Sequence, residues 1–137
     1  MIMRVPIHGQ CYCGHIQFEL RAQPDSACHC HCEDCQRASG AAFMTWAAFP
    51  STAFEITKGE LVERQSSPGV TRGHCGQCGT AMTWASEKEP DEIDIAVTCI
   101  DQPGTIRPES HIFIEDKQPW VVIGDDLPQH DRWAPEE

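Results

Sequence analysis

The chain has 137 residues and a net charge of −11, from 10 Lys+Arg against 21 Asp+Glu. This length favours one domain over residues 1–137, with an irregular tail over about 124–137. The acidity argues against a nucleic-acid partner, which requires a basic face. With no apolar leader or bilayer-length run, we expect a cytoplasmic protein that does not engage membranes. Nine cysteines then indicate metal ligands rather than disulfides.

The predicted elements are mostly short strands. Residues 15–21 alternate so that Ile16, Phe18 and Leu20 share a face, as in a half-buried antiparallel strand. Residues 33–39 predict a short helix that ends at Gly40. Segments 53–57 and 60–65 predict a hairpin across Lys58-Gly59. Further short strands are predicted at 41–49 (one or two strands), 80–86, 93–99, 111–115 and 120–123. Together these segments predict an all-β domain.

Residues 28–35 read CHCHCEDC, with four cysteines and two histidines in eight positions. Buried free cysteine can act as a small hydrophobe, but packing does not explain this density. The C-x-C-x-x-C spacing within the run brings thiolates onto one soft metal such as zinc. The stretch therefore predicts a metal site.

Strand geometry indicates which of these cysteines share the ion. In an extended chain the Cα atoms of Cys28 and Cys32 lie about 13 Å apart. Two thiolates on one zinc must lie within about 4 Å of each other, so a straight strand cannot supply both. Cys30, Cys32 and, after a turn, Cys35 can converge. Three ligands would leave the open position of a catalytic zinc, although a kinked chain or a distant residue could close the site.

A second set of cysteines is more widely spread. Cys11 and Cys13 precede the first predicted strand, and Cys75 and Cys78 form a C-x-x-C-G unit. Glycines relieve the tight turn of such a zinc knuckle, and the two pairs can complete a closed, structural four-thiolate site. A redox C-x-x-C is the alternative, but the βαβ setting that it requires is missing from the predicted elements.

The order of these motifs resembles the glutathione-dependent formaldehyde-activating family, which includes the centromere protein V domain. The likeness covers GQCYCG at 9–14, CHCEDCQRASG at 30–40, CGQCG at 75–79, IDQP at 100–103, HIF at 111–113 and Trp120. The resemblance implies a β-tent fold of stacked antiparallel sheets with two zinc ions. It implies a structural zinc at Cys11, Cys13, Cys75 and Cys78, and a catalytic zinc at Cys30, Cys32 and Cys35.

The resemblance also implies an activity, the reversible addition of formaldehyde to the thiol of glutathione. We therefore expect a zinc-dependent carbon–sulfur lyase whose partner is a small thiol or thiol adduct such as glutathione. His31 is the preferred proton carrier by its pKa and position, ahead of His29, Glu33 and Asp34. It could instead point to the opposite face, and the two carboxylates could simply favour the positive end of the helix. Arg37 could clamp a carboxylate or be a solvated surface residue.

Two other function classes remain. One is a non-catalytic zinc-binding module for protein interaction, built on closed sites. The other is a redox enzyme like the B-type methionine sulfoxide reductases, with Cys99 as the nucleophile. The sequence 96–101, AVTCID, places no positive residue near Cys99 to lower its pKa, and its alternation predicts a core position.

Overall fold

The computed structural model describes residues 2–135, which fold mainly into strands. The strands are β1 (Ile7–Gln10), β2 (Gln17–Leu20), β3 (Ser26–Cys30), β4 (Met44–Pro50), β5 (Phe54–Lys58), β6 (Leu61–Ser67), β7 (Val70–Cys75), β8 (Ala81–Ser86), β9 (Glu92–Ala96) and β10 (Ser110–Ile112). The helix α1 spans Glu33–Ser39, and single 3-10 turns lie at Ser51–Ala53, Val97–Cys99, Pro103–Thr105 and Ile114–Asp116. No helix in residues 2–135 combines the length and apolar character needed to cross a membrane.

The strands form two sheets. The smaller has the order β1-β2-β5 and the larger has the order β10-β3-β4-β9-β8-β7-β6. Apolar side chains from both sheets meet in one core that includes Phe18, Leu20, Phe49 and Ile95. The sequence predicts an all-β domain, and the structure is mostly β, with the helix α1 and four 3-10 turns among the described residues. The sheets are not purely antiparallel as expected, because β3 and β10 run parallel.

Several predicted elements are confirmed. Ile16, Phe18 and Leu20 are all buried on one face around β2, and residues 81–86 form β8. The predicted helix is α1, and Gly40 ends it with φ 70° and an N–H that donates to the Gln36 carbonyl at 2.8 Å. The segment predicted at 93–99 is a strand only to Ala96 and then turns as a 3-10 helix.

Two strand predictions are wrong. The segments around Lys58-Gly59 do not pair as a hairpin, because β5 pairs with β2 in the small sheet and β6 pairs with β7 in the large one. Alternation sets which face of a strand is buried, but it does not choose the neighbouring strand. Residues 120–123 are irregular. The tail over 124–135 is irregular as predicted, apart from one bridge between Gln129 and His111, and residues 136 and 137 lie outside the described part.

Candidate metal centres and the adjoining pocket

The fold brings the four spread cysteines together. Their Sγ atoms all lie within 4.8 Å of one another, in the group Cys11, Cys13, Cys75 and Cys78. The Sγ atoms of Cys11 and Cys13 are 3.7 Å apart, and those of Cys13 and Cys75 are 3.8 Å apart. Sulfurs at 2.3 Å from one tetrahedral zinc would be separated by about 3.8 Å. The four thiols could therefore hold a metal ion.

Backbone amides point to two of these four thiols. The N–H groups of Gln77 and Cys78 both point to the Cys75 Sγ at 3.4 Å, and Ile16 N–H points to the Cys11 Sγ at 3.3 Å. Donors aimed at sulfur stabilise thiolates. Gly79 takes φ 82° directly after Cys78, a conformation that suits glycine in this tight turn.

The second cluster forms where β3 passes into α1. Cys30 ends β3, Cys32 is the N-cap of α1, and Cys35 lies inside the helix. The Cys32 Sγ accepts the Cys35 N–H at 3.2 Å, and the Sγ atoms of Cys35 and Cys30 are 3.6 Å apart. Within residues 2–135 this group consists of three thiols, without a fourth ligand atom.

One side of the three-thiol cluster faces a pocket of about 350 Å³ on the large sheet. Aromatic and acidic side chains both contribute to its walls. The lining includes Cys28, Cys30, Cys32, Cys35, Glu33, Asp34, Trp46, Arg72, Trp84, Asp94, Phe113, Asp116 and Trp133. The pocket has the size and the mixture of apolar walls and few polar groups that small-molecule sites show.

Two charged residues in this pocket belong to no motif that the sequence identifies. Arg72, Trp84 and Asp94 are cross-strand neighbours on β7, β8 and β9. Arg72 is only 7% exposed, and its Nη2 lies 3.9 Å from the Cys35 Sγ. Burial, with the negative charges of Glu92 and Cys35, raises the pKa of Asp94 to about 7. Their only signal in the sequence is a charged residue inside an otherwise regular strand.

The cysteines of the cluster differ in protonation. Hydrogen bonds from the Cys30 and Cys32 thiols, then one from the Trp46 side chain and the nearby Arg72 charge, hold the pKa of Cys35 well below its ordinary value. Cys28 lines the pocket but is not part of the cluster, and burial raises its pKa to about 12. The surroundings of Cys35 thus favour a negative charge on its sulfur, whereas burial disfavours one on Cys28.

Cys99 lies in the core, as its alternation predicts. It is 7% exposed, and burial raises its pKa to about 11. A thiol in this state is a poor nucleophile near neutral pH.

His31 lies on the other face of the chain from the cysteines that flank it. It is fully buried, and its Nε2 is 2.9 Å from Nδ1 of His111. Burial and the neighbouring His111 charge lower the pKa of His31 to about 4. The described residues that line the pocket include Glu33 and Asp34 but neither His31 nor His29. Arg37 forms an exposed i,i+4 ion pair with Glu33 at 3.0 Å.

Comparison with known proteins agrees with these features. The family model described as glutathione-dependent formaldehyde-activating enzyme matches residues 6–116, a range that contains both cysteine clusters. The chain belongs to this family. Membership of the glutathione-dependent formaldehyde-activating family confirms the resemblance stated from the cysteine motifs.

A solved structure supports the fold. A Rhodobacter sphaeroides protein whose crystal structure is known has 22% sequence identity to this chain, and the two structures superpose with a TM-score of 0.59. The match covers 69% of this chain and 88% of that one. At this identity it is evidence for a shared fold alone.

Proposed function

We propose that the protein is a zinc-dependent carbon–sulfur lyase that acts on a thiol–aldehyde adduct such as S-hydroxymethylglutathione. The observation that carries the proposal is the three-thiol cluster of Cys30, Cys32 and Cys35, which faces a small-molecule pocket. Family membership supports the same chemistry. A three-ligand site is the pattern of catalytic zinc, whereas the four-thiol group fits a structural zinc.

Both clusters fit zinc, so we propose two ions per chain. All the donors are thiols, and the measured sulfur–sulfur distances of 3.6 to 3.8 Å match the edge of a zinc tetrahedron. When bound at Cys30, Cys32 and Cys35, zinc would keep the sulfur of a substrate thiol in its reactive anionic form. The buried guanidinium of Arg72 offsets the negative charge that three thiolates bring into the sheet.

The reaction needs one proton to move. In the lyase direction the adduct's hydroxyl loses its proton, the carbon–sulfur bond breaks, formaldehyde leaves and the sulfur keeps the electron pair. A base in the pocket takes the proton and returns it in the reverse reaction. Asp94, with a pKa of about 7, and Asp34 both line the pocket. His31 remains our sequence-based prediction for this role, and it would have to act from behind the cluster.

The pocket walls support a small organic thiol as the substrate. Trp46, Trp84 and Phe113 offer apolar contact, and Arg72 is the positive group among the described lining residues. A carboxylate on the substrate can pair with the Arg72 guanidinium. Glutathione and smaller carboxylate-bearing thiols both meet this description.

The test is an assay of S-hydroxymethylglutathione formation and breakdown with zinc-loaded protein, measured against the uncatalysed rate. We expect acceleration that a chelator abolishes and added zinc restores. Cys35→Ser should remove activity because it deletes a ligand, whereas the matched Cys28→Ser should keep both zinc and activity. Asp94→Asn and His31→Gln should separate the proton carriers, with a loss of about 10²-fold for the group that acts.

Other outcomes would reject the proposal. Activity that is unchanged in Cys35→Ser would contradict a role for the three-thiol cluster. Two tightly held zinc ions without acceleration for any thiol adduct would favour the zinc-binding interaction module instead. Turnover of methionine sulfoxide that depends on Cys99 would favour the redox class, although the raised pKa of that thiol counts against it.

A further inference from the structure

Behind the three-thiol cluster lies a second group of side chains, His29, His111 and Asp125, to which the proposed lyase reaction assigns no role. Because side chains alternate along β3, His29 points away from the face that carries Cys28 and Cys30. His31, directly after the strand, lies on the same side as His29, with its ring beside that of His111. The parallel neighbour β10 places His111 directly beside His29, and their ring centroids are 4.8 Å apart. Asp125, from the C-terminal tail, reaches the same place and lies 3.0 Å from His111 Nε2.

The geometry points to a third metal site, formed by His29, His111 and Asp125. One ring nitrogen from each histidine and one carboxylate oxygen lie within 4.8 Å of one another. Ligands at about 2.0–2.1 Å on one tetrahedral ion would be about 3.4 Å apart. The His111–Asp125 contact must therefore open by only a few tenths of an ångström.

Hydrogen bonds orient the rings of His29 and His111 through one nitrogen each, so that the other nitrogen of each ring can bind an ion. His29 uses Nδ1 to contact the hydroxyl of Thr45 at 2.8 Å, which leaves Nε2. His111 uses Nδ1 to contact His31 Nε2 at 2.9 Å, and its own Nε2 faces Asp125. Metal-binding histidines are normally oriented through the ring nitrogen that does not bind the ion.

The surroundings give the site a closed side and an open side. The ring of Phe43 packs against His29 at 5.5 Å and against His31 at 4.9 Å, centroid to centroid. On the other side the Asp125 side chain is 43% exposed, so an ion can arrive from solvent. The Leu127 N–H donates to Asp125 Oδ1 at 3.0 Å and positions the carboxylate.

The donor set decides the class of ion. Two imidazole nitrogens and one carboxylate oxygen suit a divalent first-row transition ion such as zinc, cobalt or iron, whereas magnesium and calcium prefer oxygen ligands. The site differs from the two thiol clusters because sulfur takes no part in it. An ion bound there would show no sulfur-to-metal charge-transfer band in its absorption spectrum.

The experiment uses full-length protein whose thiol clusters are filled with zinc, desalted and titrated with Co²⁺. Zinc ranks above cobalt in affinity, so cobalt should go to the unfilled nitrogen–oxygen site. We expect one cobalt per chain by metal analysis and visible d–d absorption without a sulfur-to-cobalt charge-transfer band. Thr45→Val, which removes only the group that orients His29, should weaken binding about tenfold.

Ligand variants and a control complete the test. His111→Gln and Asp125→Asn should each lose the extra cobalt, whereas His74→Gln, a histidine of β7 outside this group, should keep it. If His111→Gln does not fold, Asp125→Asn decides, because that side chain is partly exposed. No extra cobalt in the parent protein, cobalt retained by Asp125→Asn, or a sulfur-to-cobalt band would each overturn the proposal.

Discussion

Asp94 shows how one half-buried side chain makes stability depend on pH. Its pKa rises to about 7 chiefly through burial, so its folded form prefers the proton more than its unfolded form does. The contribution of Asp94 to the free energy of unfolding is therefore complete below the unfolded pKa near 4. It is lost as the pH rises toward the folded pKa of about 7. Deleting the charge should remove that loss.

We therefore expect Asp94→Asn to be more stable than the parent protein at pH 8, with the advantage shrinking by about 1 kcal/mol at pH 6. Chemical denaturation of the zinc-loaded proteins at both pH values measures the difference. Asp91→Asn, an exposed aspartate nearby, is the matched control and should show no such change. An equal effect of both substitutions would refute the burial argument.

At the same scale, the sequence identified the cysteines but not their neighbours. Spacing predicts that Cys30, Cys32 and Cys35 converge, and the structure brings them together. Arg72 and Asp94 reach the pocket only because β7, β8 and β9 are adjacent in the sheet. Contacts between strands far apart in the chain leave little trace in a single sequence.

The helix α1 illustrates how an element holds a site. Cys32 caps its N-terminus, and Gly40 ends it with φ 70°, where a side chain would be strained. An added Cβ at Gly40 would meet no atom within 4 Å, so the cost of Gly40→Ala is conformational alone. We expect a loss of about 1 kcal/mol in the free energy of unfolding, measured by urea denaturation.

Gly104 provides the control for that prediction. A Cβ there also meets nothing within 4 Å, but the residue does not adopt a positive φ. Gly104→Ala should be neutral or slightly stabilising because it restricts only the unfolded chain. A similar loss in both variants would mean that general packing, not the left-handed turn, explains the Gly40 result.

The sequence predicts individual strands better than it predicts which strands pair in a sheet. The alternation of residues 16–20 defined the buried face of β2 because that strand packs one side on the core. The sequence also predicts that β5 pairs with β6, which is wrong because the chain passes from the small sheet to the large sheet after Gly59. Phe54 packs against Phe18 at 5.5 Å, a contact in the small sheet that local sequence does not encode.

Across the whole molecule, the two thiol clusters should differ in what they contribute. Cys75→Ala should yield unfolded or insoluble protein, because a closed zinc site supplies folding free energy directly. Cys35→Ala should leave a folded domain with weakened or lost metal at the pocket. Circular dichroism and metal analysis of both variants measure this, and equal thermal destabilisation would contradict the division into structural and catalytic sites.

The C-terminal tail contributes a wall of the pocket. Trp133 packs edge-on against Phe113 at 5.0 Å and lies 6.2 Å from Trp84, centroid to centroid. We expect Trp133→Ala to raise KM for the thiol adduct about threefold or more with little change in kcat, since it removes binding contact alone. Trp120→Ala, at a residue that is similarly exposed but outside the pocket lining, should leave both constants unchanged. A fall in kcat alone would contradict this role.

The spacing of the cysteines along the chain has a consequence for how the protein is made. Cys30 and Cys35 are five positions apart, whereas Cys13 and Cys75 are separated by 62. During translation the short C-x-C-x-x-C segment leaves the ribosome as a complete chelating peptide, well before Cys75 is synthesised. An ion of the proposed kind could therefore load onto a nascent, unfolded chain, and binding to that chain would reduce what the ion adds to final stability. The closed cluster has to wait for its distant half, so an ion there could bind only after Cys75 and Cys78 have been synthesised.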